Sequence, residues 1–158
     1  MNNENEFNAW LTKDIRKLGT EIKAIKLSDR FRSGVSDWLI FHKGLTIAVE
    51  SKAVKELPKR GRALKHPVTG PQLSFFESMR LAGICGFVIV AELDIRAMTV
   101  IPYPSVPRSG NFTVEDILHA AHFKNVCPST PCLKFNFTET RDMLNQMFFG
   151  NALWNSLF

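Results

Sequence analysis

The chain has 158 residues (17.9 kDa), 45% of them hydrophobic and 22% charged, a balance that excludes wholesale disorder and suits one domain over 1–158. No uncharged stretch reaches the roughly 20 apolar residues of a bilayer-spanning helix, the acidic start Met1 to Glu6 suits neither a signal nor a transit peptide, and three cysteines make no disulfide framework. A cytoplasmic, intracellular protein without a membrane partner is expected. The net charge of +5 sits in one segment, where Lys52, Lys55, Lys59, Arg60, Arg62 and Lys65 face Glu56 alone. That footprint points to a polyanion partner such as DNA; the alternative is a solvated loop with no partner.

In chain order, Phe7, Trp10, Leu11, Ile15 and Leu18 recur at helical spacing, and Gly19 is a natural stop. Residues 21–27 are weakly strand-like, and Arg30 to Gly34 reads as a turn. Trp38 to Phe41 and Leu45 to Val49 flank His42-Lys43-Gly44 as a β-hairpin. The basic segment follows, broken by Pro58, Gly61 and Pro67, and reads as a loop. Gly70-Pro71 opens a helix carrying Leu73, Phe76 and Met79, closed by Gly83. Phe87 to Ala91 has the pattern of a strand buried on both faces, reached by a right-handed parallel crossover. Ala97 to Ile101 is a further strand, Thr113 caps a helix to about Ala121, and Thr138 to Phe149 forms the last helix. The fold class is α/β: a small mixed sheet flanked by helices, with a core over about 5–103 and a helical extension over about 111–158.

The hairpin register carries the chemistry. A two-residue turn at Lys43-Gly44 makes opposed residue numbers sum to 87, so Asp37 is expected to face Glu50 with Cβ atoms about 4.5–5.5 Å apart. Strand alternation puts Lys52 on the same face as Glu50. Two acids and one amine there suit magnesium or manganese, held by carboxylates, waters and a substrate phosphate, with the lysine beside an attacking water. Glu-x-Lys alone is a poor signal, since Glu21-Ile22-Lys23 repeats it and a surface salt bridge explains either copy. Glu50 differs in emerging from the apolar run Leu45 to Val49.

Gly34-Val35-Ser36-Asp37, twelve intervening residues, and Glu50-Ser51-Lys52 resemble the PD-(D/E)xK nuclease superfamily. Gln72 in the following helix resembles the branch of Holliday-junction resolvases and virus-type replication–repair nuclease (VRR-NUC) domains. Ser36 departs from the usual proline before the aspartate. The resemblance implies a restriction-endonuclease-like αβββαβ core and a Mg²⁺- or Mn²⁺-dependent endonuclease. It further implies selectivity for branched, junction or flap DNA in recombination, repair or replication. It implies a metal held by Asp37, Glu50 and the Ser51 carbonyl, with Lys52 on the nucleophilic water and Gln72 positioning the phosphate or Lys52. Glu6 is the helical acid expected to complete the metal shell; an acid that simply favours a helix N-terminus is the alternative. Lys55, Lys59, Arg60, Arg62 and Lys65 are the expected DNA contacts. The competing function is a non-catalytic DNA-binding or recombination accessory protein that uses the same basic loop.

Two further features stand outside this pattern. His119, His122, Cys127 and Cys132 are of zinc-ligand type, but their spacing departs from common finger patterns. The Met143, Leu144, Met147 and Phe148 stripe, with Trp154, Leu157 and Phe158 beyond it, completes the core or forms a homodimer interface of the kind that resolvases use on two-fold junctions.

Overall fold

The computed structural model describes residues 1–27, 34–65, 67–113, 115 and 134–149. Helix α1 (Glu4–Arg16) starts where the Asn3 side chain accepts from the Glu6 N–H at 3.0 Å; acidic residues in its first turn and Lys13 and Arg16 in its last complement the helix dipole. Its buried residues are Phe7, Asn8, Leu11 and Ile15; of the expected stripe, Trp10 and Leu18 are only partly buried, and Leu18 lies beyond the helix end. Then follow β1 (Ile22–Lys26), β2 (Trp38–His42), β3 (Leu45–Val54), α2 (Gly70–Leu81), β4 (Cys85–Glu92) and β5 (Ala97–Pro102). After a 3₁₀ turn at Tyr103–Ser105 come β6 (Lys134–Asn136) and α3 (Thr140–Phe149). The predicted αβββαβ order is therefore present from α1 to β4.

The six strands of the described residues form one sheet in sequence order, β1 to β6. Every neighbouring pair is antiparallel except β3 and β4, which are parallel across the α2 crossover. Lys43 (φ 47°) and Gly44 (φ 77°) make a two-residue turn with two positive φ angles, the conformation that matches strand twist in a tight hairpin and that Gly44 adopts without Cβ strain. The register is the expected one, with Trp38 opposite Val49 and Ile40 opposite Ile47.

The sheet is covered on both faces. On one face α1 and α3 pack over Trp38, Ile40, Ile47, Val49, Phe87 and Ile89; on the other α2 lays Phe76 against Ala48, Val88 and Val90. Each such large apolar side chain withdrawn from water stabilises the fold by roughly 1.5–3 kcal/mol. Met143, Leu144, Met147 and Phe148 of α3 are buried in the first core, so this stripe completes the interior.

Two expectations need correction. Strand β3 continues to Val54, so Lys52, Ala53 and Val54 are strand residues, paired with Val90, Ala91 and Glu92 of β4. The chain beyond Ile101 is not purely helical, because β6 adds a sixth strand against β5. The rest of the basic segment is a loop as expected, tied down where Leu64 N–H donates to the Phe112 carbonyl and Val68 N–H to the Gly110 carbonyl, both at 2.9 Å, with Leu64 and Val68 buried. The turn over Arg30 to Ser33, most of the helix from Thr113 to Ala121, the four zinc-type residues, and Trp154, Leu157 and Phe158 lie outside the described residues.

Candidate active site

The site forms where β2 ends and β3 does not. Strand β2 begins at Trp38, opposite Val49, so β3 runs five residues further, to Val54, with no β2 residue beside it. A strand residue sends its N–H and C=O to one edge, and residues two apart share that edge. The amides of Ser51 and Ala53 therefore leave the edge that β2 has vacated, and buried amides need acceptors. Two carboxylates supply them. Asp37 Oδ2 accepts from Ser51 N–H at 2.9 Å, and Glu4 Oε2 accepts from Ala53 N–H at 3.4 Å.

Asp37 itself lies just outside the β2 ladder. Its carbonyl accepts from Leu27 N–H at 2.8 Å, and its carboxylate turns to Ser51 rather than standing as the ladder partner of Glu50. The preceding loop is set by Gly34, whose φ of +106° favours glycine and where an added Cβ would collide with Pro71 Cβ. The approach to Asp37 thus packs on the first turn of α2.

Glu50, Ser51 and Lys52 follow one another along β3, so Ser51 faces α1 while Glu50 and Lys52 face α2. Glu50 is 2% exposed. Its Oε1 accepts from Lys52 Nζ at 2.8 Å and from Gln72 Nε2 at 2.6 Å. Its Oε2 is buried with no hydrogen-bond partner among the described residues. Burial first, then the charge of Asp37, pushes the Glu50 carboxyl up to about 7, with Lys52 opposing.

Gln72 has two roles. Its Oε1 accepts from Thr69 N–H at 3.0 Å in a capping box that begins α2, while its Nε2 reaches Glu50. The helix start and the buried acid thus share one side chain.

The structure brings Asp37, Glu50, Ser51, Lys52 and Gln72 together, and leaves Glu6 out. Glu6 is exposed and serves its own helix end, accepting from Asn2 N–H at 2.8 Å and Asn3 Nδ2 at 3.2 Å. The acid of α1 that reaches the site is Glu4, whose charge is felt at Glu50. The spacing held the signal. At about 100° per residue, Glu4 lies within the arc of Phe7, Leu11 and Ile15, whereas Glu6 points about 100° away from Phe7 on the other side. Lys55, Lys59, Arg60, Arg62 and Lys65 are all exposed, at or beyond the end of β3.

Among the described residues, no three His, Cys, Asp or Glu side chains gather as a complete metal cage. Magnesium does not ask for one, since it keeps several waters and takes one or two carboxylates. The unpartnered Glu50 Oε2 is the atom a divalent cation would satisfy, so the donor set fits such an ion. No described helix is long and apolar enough to cross a membrane.

No family model matches the chain, and no curated protein does. Among solved structures, the chain is similar to Archaeoglobus fulgidus Hjc, described as a Holliday junction resolvase from an archaeal hyperthermophile, with a TM-score of 0.55 at 18% identity over 73% of this chain and 93% of that one. The mixed six-stranded sheet and its flanking helices are thus a restriction-endonuclease-like fold, shared with Hjc.

Proposed function

We propose that this protein is a divalent-metal-dependent endonuclease of the PD-(D/E)xK superfamily that hydrolyses phosphodiesters of branched or junction DNA, in the branch of the resolvases and VRR-NUC domains. The observation that carries the reading is the half-satisfied Glu50 carboxylate: one oxygen held by Lys52 and Gln72, the other buried and unpartnered. A buried acceptor left without a donor costs about 1–3 kcal/mol, more when charged, and a cation removes that cost. Asp37, Glu50 and the Ser51 carbonyl would hold Mg²⁺ or Mn²⁺, while Glu4, the acid of α1 nearest them, takes the Ala53 amide and adds its charge beside the site rather than a third acidic ligand. When bound, the ion polarises phosphoryl oxygens and acidifies a water.

The remaining roles belong to the chain. Lys52, fixed at 2.8 Å from Glu50, holds a positive charge beside the phosphate and orients the water. Gln72 keeps Glu50 Oε1 in place, so the other oxygen keeps its direction. The resolvase-like fold of Hjc supports junction DNA as the substrate class. Cleavage of branched and linear DNA in magnesium and manganese, with a chelator control, tests the reading. Intact DNA under all of these conditions would overturn it.

A second reading has one observation behind it. Asp37 and Glu4 cap strand amides, a purely structural use for both acids. In that case the protein is a non-catalytic DNA-binding or recombination accessory protein, which would retard DNA without shortening it.

On either reading the exposed loop binds phosphates. Changing Lys59, Arg60 and Arg62 together to Ala is expected to flatten the salt dependence of DNA affinity by about 0.9 log units for each phosphate no longer neutralised. An unchanged slope would make the loop a bystander. A homodimer is the assembly proposed for a two-fold junction. Light scattering is then expected at twice 17.9 kDa, and a monomer mass with DNA present would refute it.

A further inference from the structure

Helix α1 carries a polar stripe at four-residue spacing, Glu4, Asn8 and Thr12, beside its apolar face. Each member is tied to the site. Glu4 takes the Ala53 amide; Asn8, 3% exposed, meets the Ser51 hydroxyl; and Thr12 accepts from Trp38 Nε1 at 3.2 Å while donating to the Asn8 carbonyl at 2.8 Å. Trp38 is the neighbour of Asp37 in the chain, so both ends of this stripe grip the strand edge where the acids stand.

Donor counting gives the network a direction. Ser51 Oγ lies within hydrogen-bond distance of two acceptors, Asn8 Oδ1 and, at 2.8 Å, Asp37 Oδ2. The hydroxyl has one proton, and an ionised carboxylate can only accept. The proton therefore goes to Asp37, the stronger charged acceptor, and Asn8 must turn its NH₂ toward Ser51, a flip that exchanges two ends of nearly identical shape. With the amide so turned, the chain of donors runs Asn8 Nδ2–H to Ser51 Oγ, then Ser51 O–H to Asp37 Oδ2. With the Ser51 backbone N–H on the same oxygen, Asp37 Oδ2 is saturated, and among the described residues nothing donates to Oδ1.

We propose that Asn8 and Ser51 are positioning residues that hold Asp37 by one oxygen and present the other to the divalent ion. The inference rests on the nuclease reading above. It mirrors the arrangement at Glu50, where Lys52 and Gln72 occupy one oxygen and leave the second open. Both acids are then fixed before the ion arrives, each offering a single oxygen.

Titration calorimetry of Mn²⁺ into the full chain tests this, with melting curves as the folding control. Mn²⁺ binding by the wild type that disappears in Asp37→Asn and Glu50→Gln establishes the site; its absence from the wild type overturns the metal reading and the positioning role together. With that binding in hand, Ser51→Ala and Asn8→Ala are each expected to weaken Mn²⁺ affinity by about 10-fold, as loss of a group orienting a metal ligand does. Because both act through one hydrogen-bonded chain, the double variant is expected to be no worse than Ser51→Ala within about twofold. Ser51→Thr, which keeps the hydroxyl, should stay within about threefold of wild type. Wild-type Mn²⁺ affinity in folded Ser51→Ala, full additivity in the double variant, or a Ser51→Thr as weak as Ser51→Ala would each overturn the positioning role while leaving the nuclease reading intact.

Discussion

Glu50→Gln is expected to lower metal-dependent DNA cleavage by on the order of 10³-fold or more, because it removes a charged ligand from a preorganised site while keeping its shape. Gln can still meet Lys52 and Gln72 through its oxygen, so the fold is expected to persist. Asp37→Ala should fall as far. Neither change is expected to weaken DNA binding in the absence of metal, since each removes a negative charge facing the phosphates. Lys52→Ala should behave differently, retaining metal and DNA affinity while losing turnover. Groups acting as one unit do not lose activity additively, so Glu50→Ala with Lys52→Ala should be little worse than either alone. The measurement is single-turnover cleavage of junction and linear DNA in Mg²⁺ and Mn²⁺. A folded Glu50→Gln protein that cuts at the wild-type rate would remove Glu50 from the site and the main support from the nuclease reading.

The same substitution is expected to stabilise the metal-free protein at pH 8. Burial and Asp37 raise the Glu50 carboxyl from 4.5 to about 7, so between those values the native state holds a proton that the unfolded chain has released. Stability contributed by this group is therefore full below about pH 4.5 and declines as pH rises toward 7, by about 3 kcal/mol over the interval. For a chain of this size that corresponds to a melting temperature lower by roughly 6–12 °C. Glu50→Gln carries no ionisable group there and loses this slope. It does forgo attraction to Lys52, but the upward shift says that burial and Asp37 outweigh that attraction in the native protein. Melting curves of wild type and variant from pH 4.5 to 8 isolate the contribution as their difference. Divalent ion favours the ionised form, so Mn²⁺ should restore the wild type at pH 8, restore it far less at pH 5, and leave Glu50→Gln unmoved. A variant that melts below wild type at pH 8 would contradict the assignment of the shift.

The residues that determine the hairpin are local, which is why its register is legible in the sequence. Lys43-Gly44 allows one tight turn, and alternation then dictates that Trp38 meets Val49 and that Glu50 and Lys52 share a face. The buried strand at 87–91 and the helix opened by Gly70-Pro71 are equally legible, from continuous hydrophobicity and from an N-terminal proline. The choice between Glu4 and Glu6 is legible too, because helical angle alone separates them.

Other features depend on distant parts of the chain meeting. The register read from the turn would set Asp37 opposite Glu50, but the ladder stops at Trp38 and Val49; only that end of β2 makes β3 expose two amides, which turn Asp37 toward Ser51 and draw in Glu4 from 49 residues away. The short β6 has too few residues to announce itself, and exists because β5 offers it an edge. Residue pattern alone makes Gln72 a polar residue in a first helical turn, which only the family resemblance marks as a site residue, and it is the packing of α2 across the parallel crossover that puts its amide on Glu50. Periodicity and turn chemistry act over a few residues, so the elements and the faces they bury follow from the order of amino acids. Burial and hydrogen-bond completion act across the whole fold, so it takes the folded chain to select which oxygen of each acid is held and which is left open.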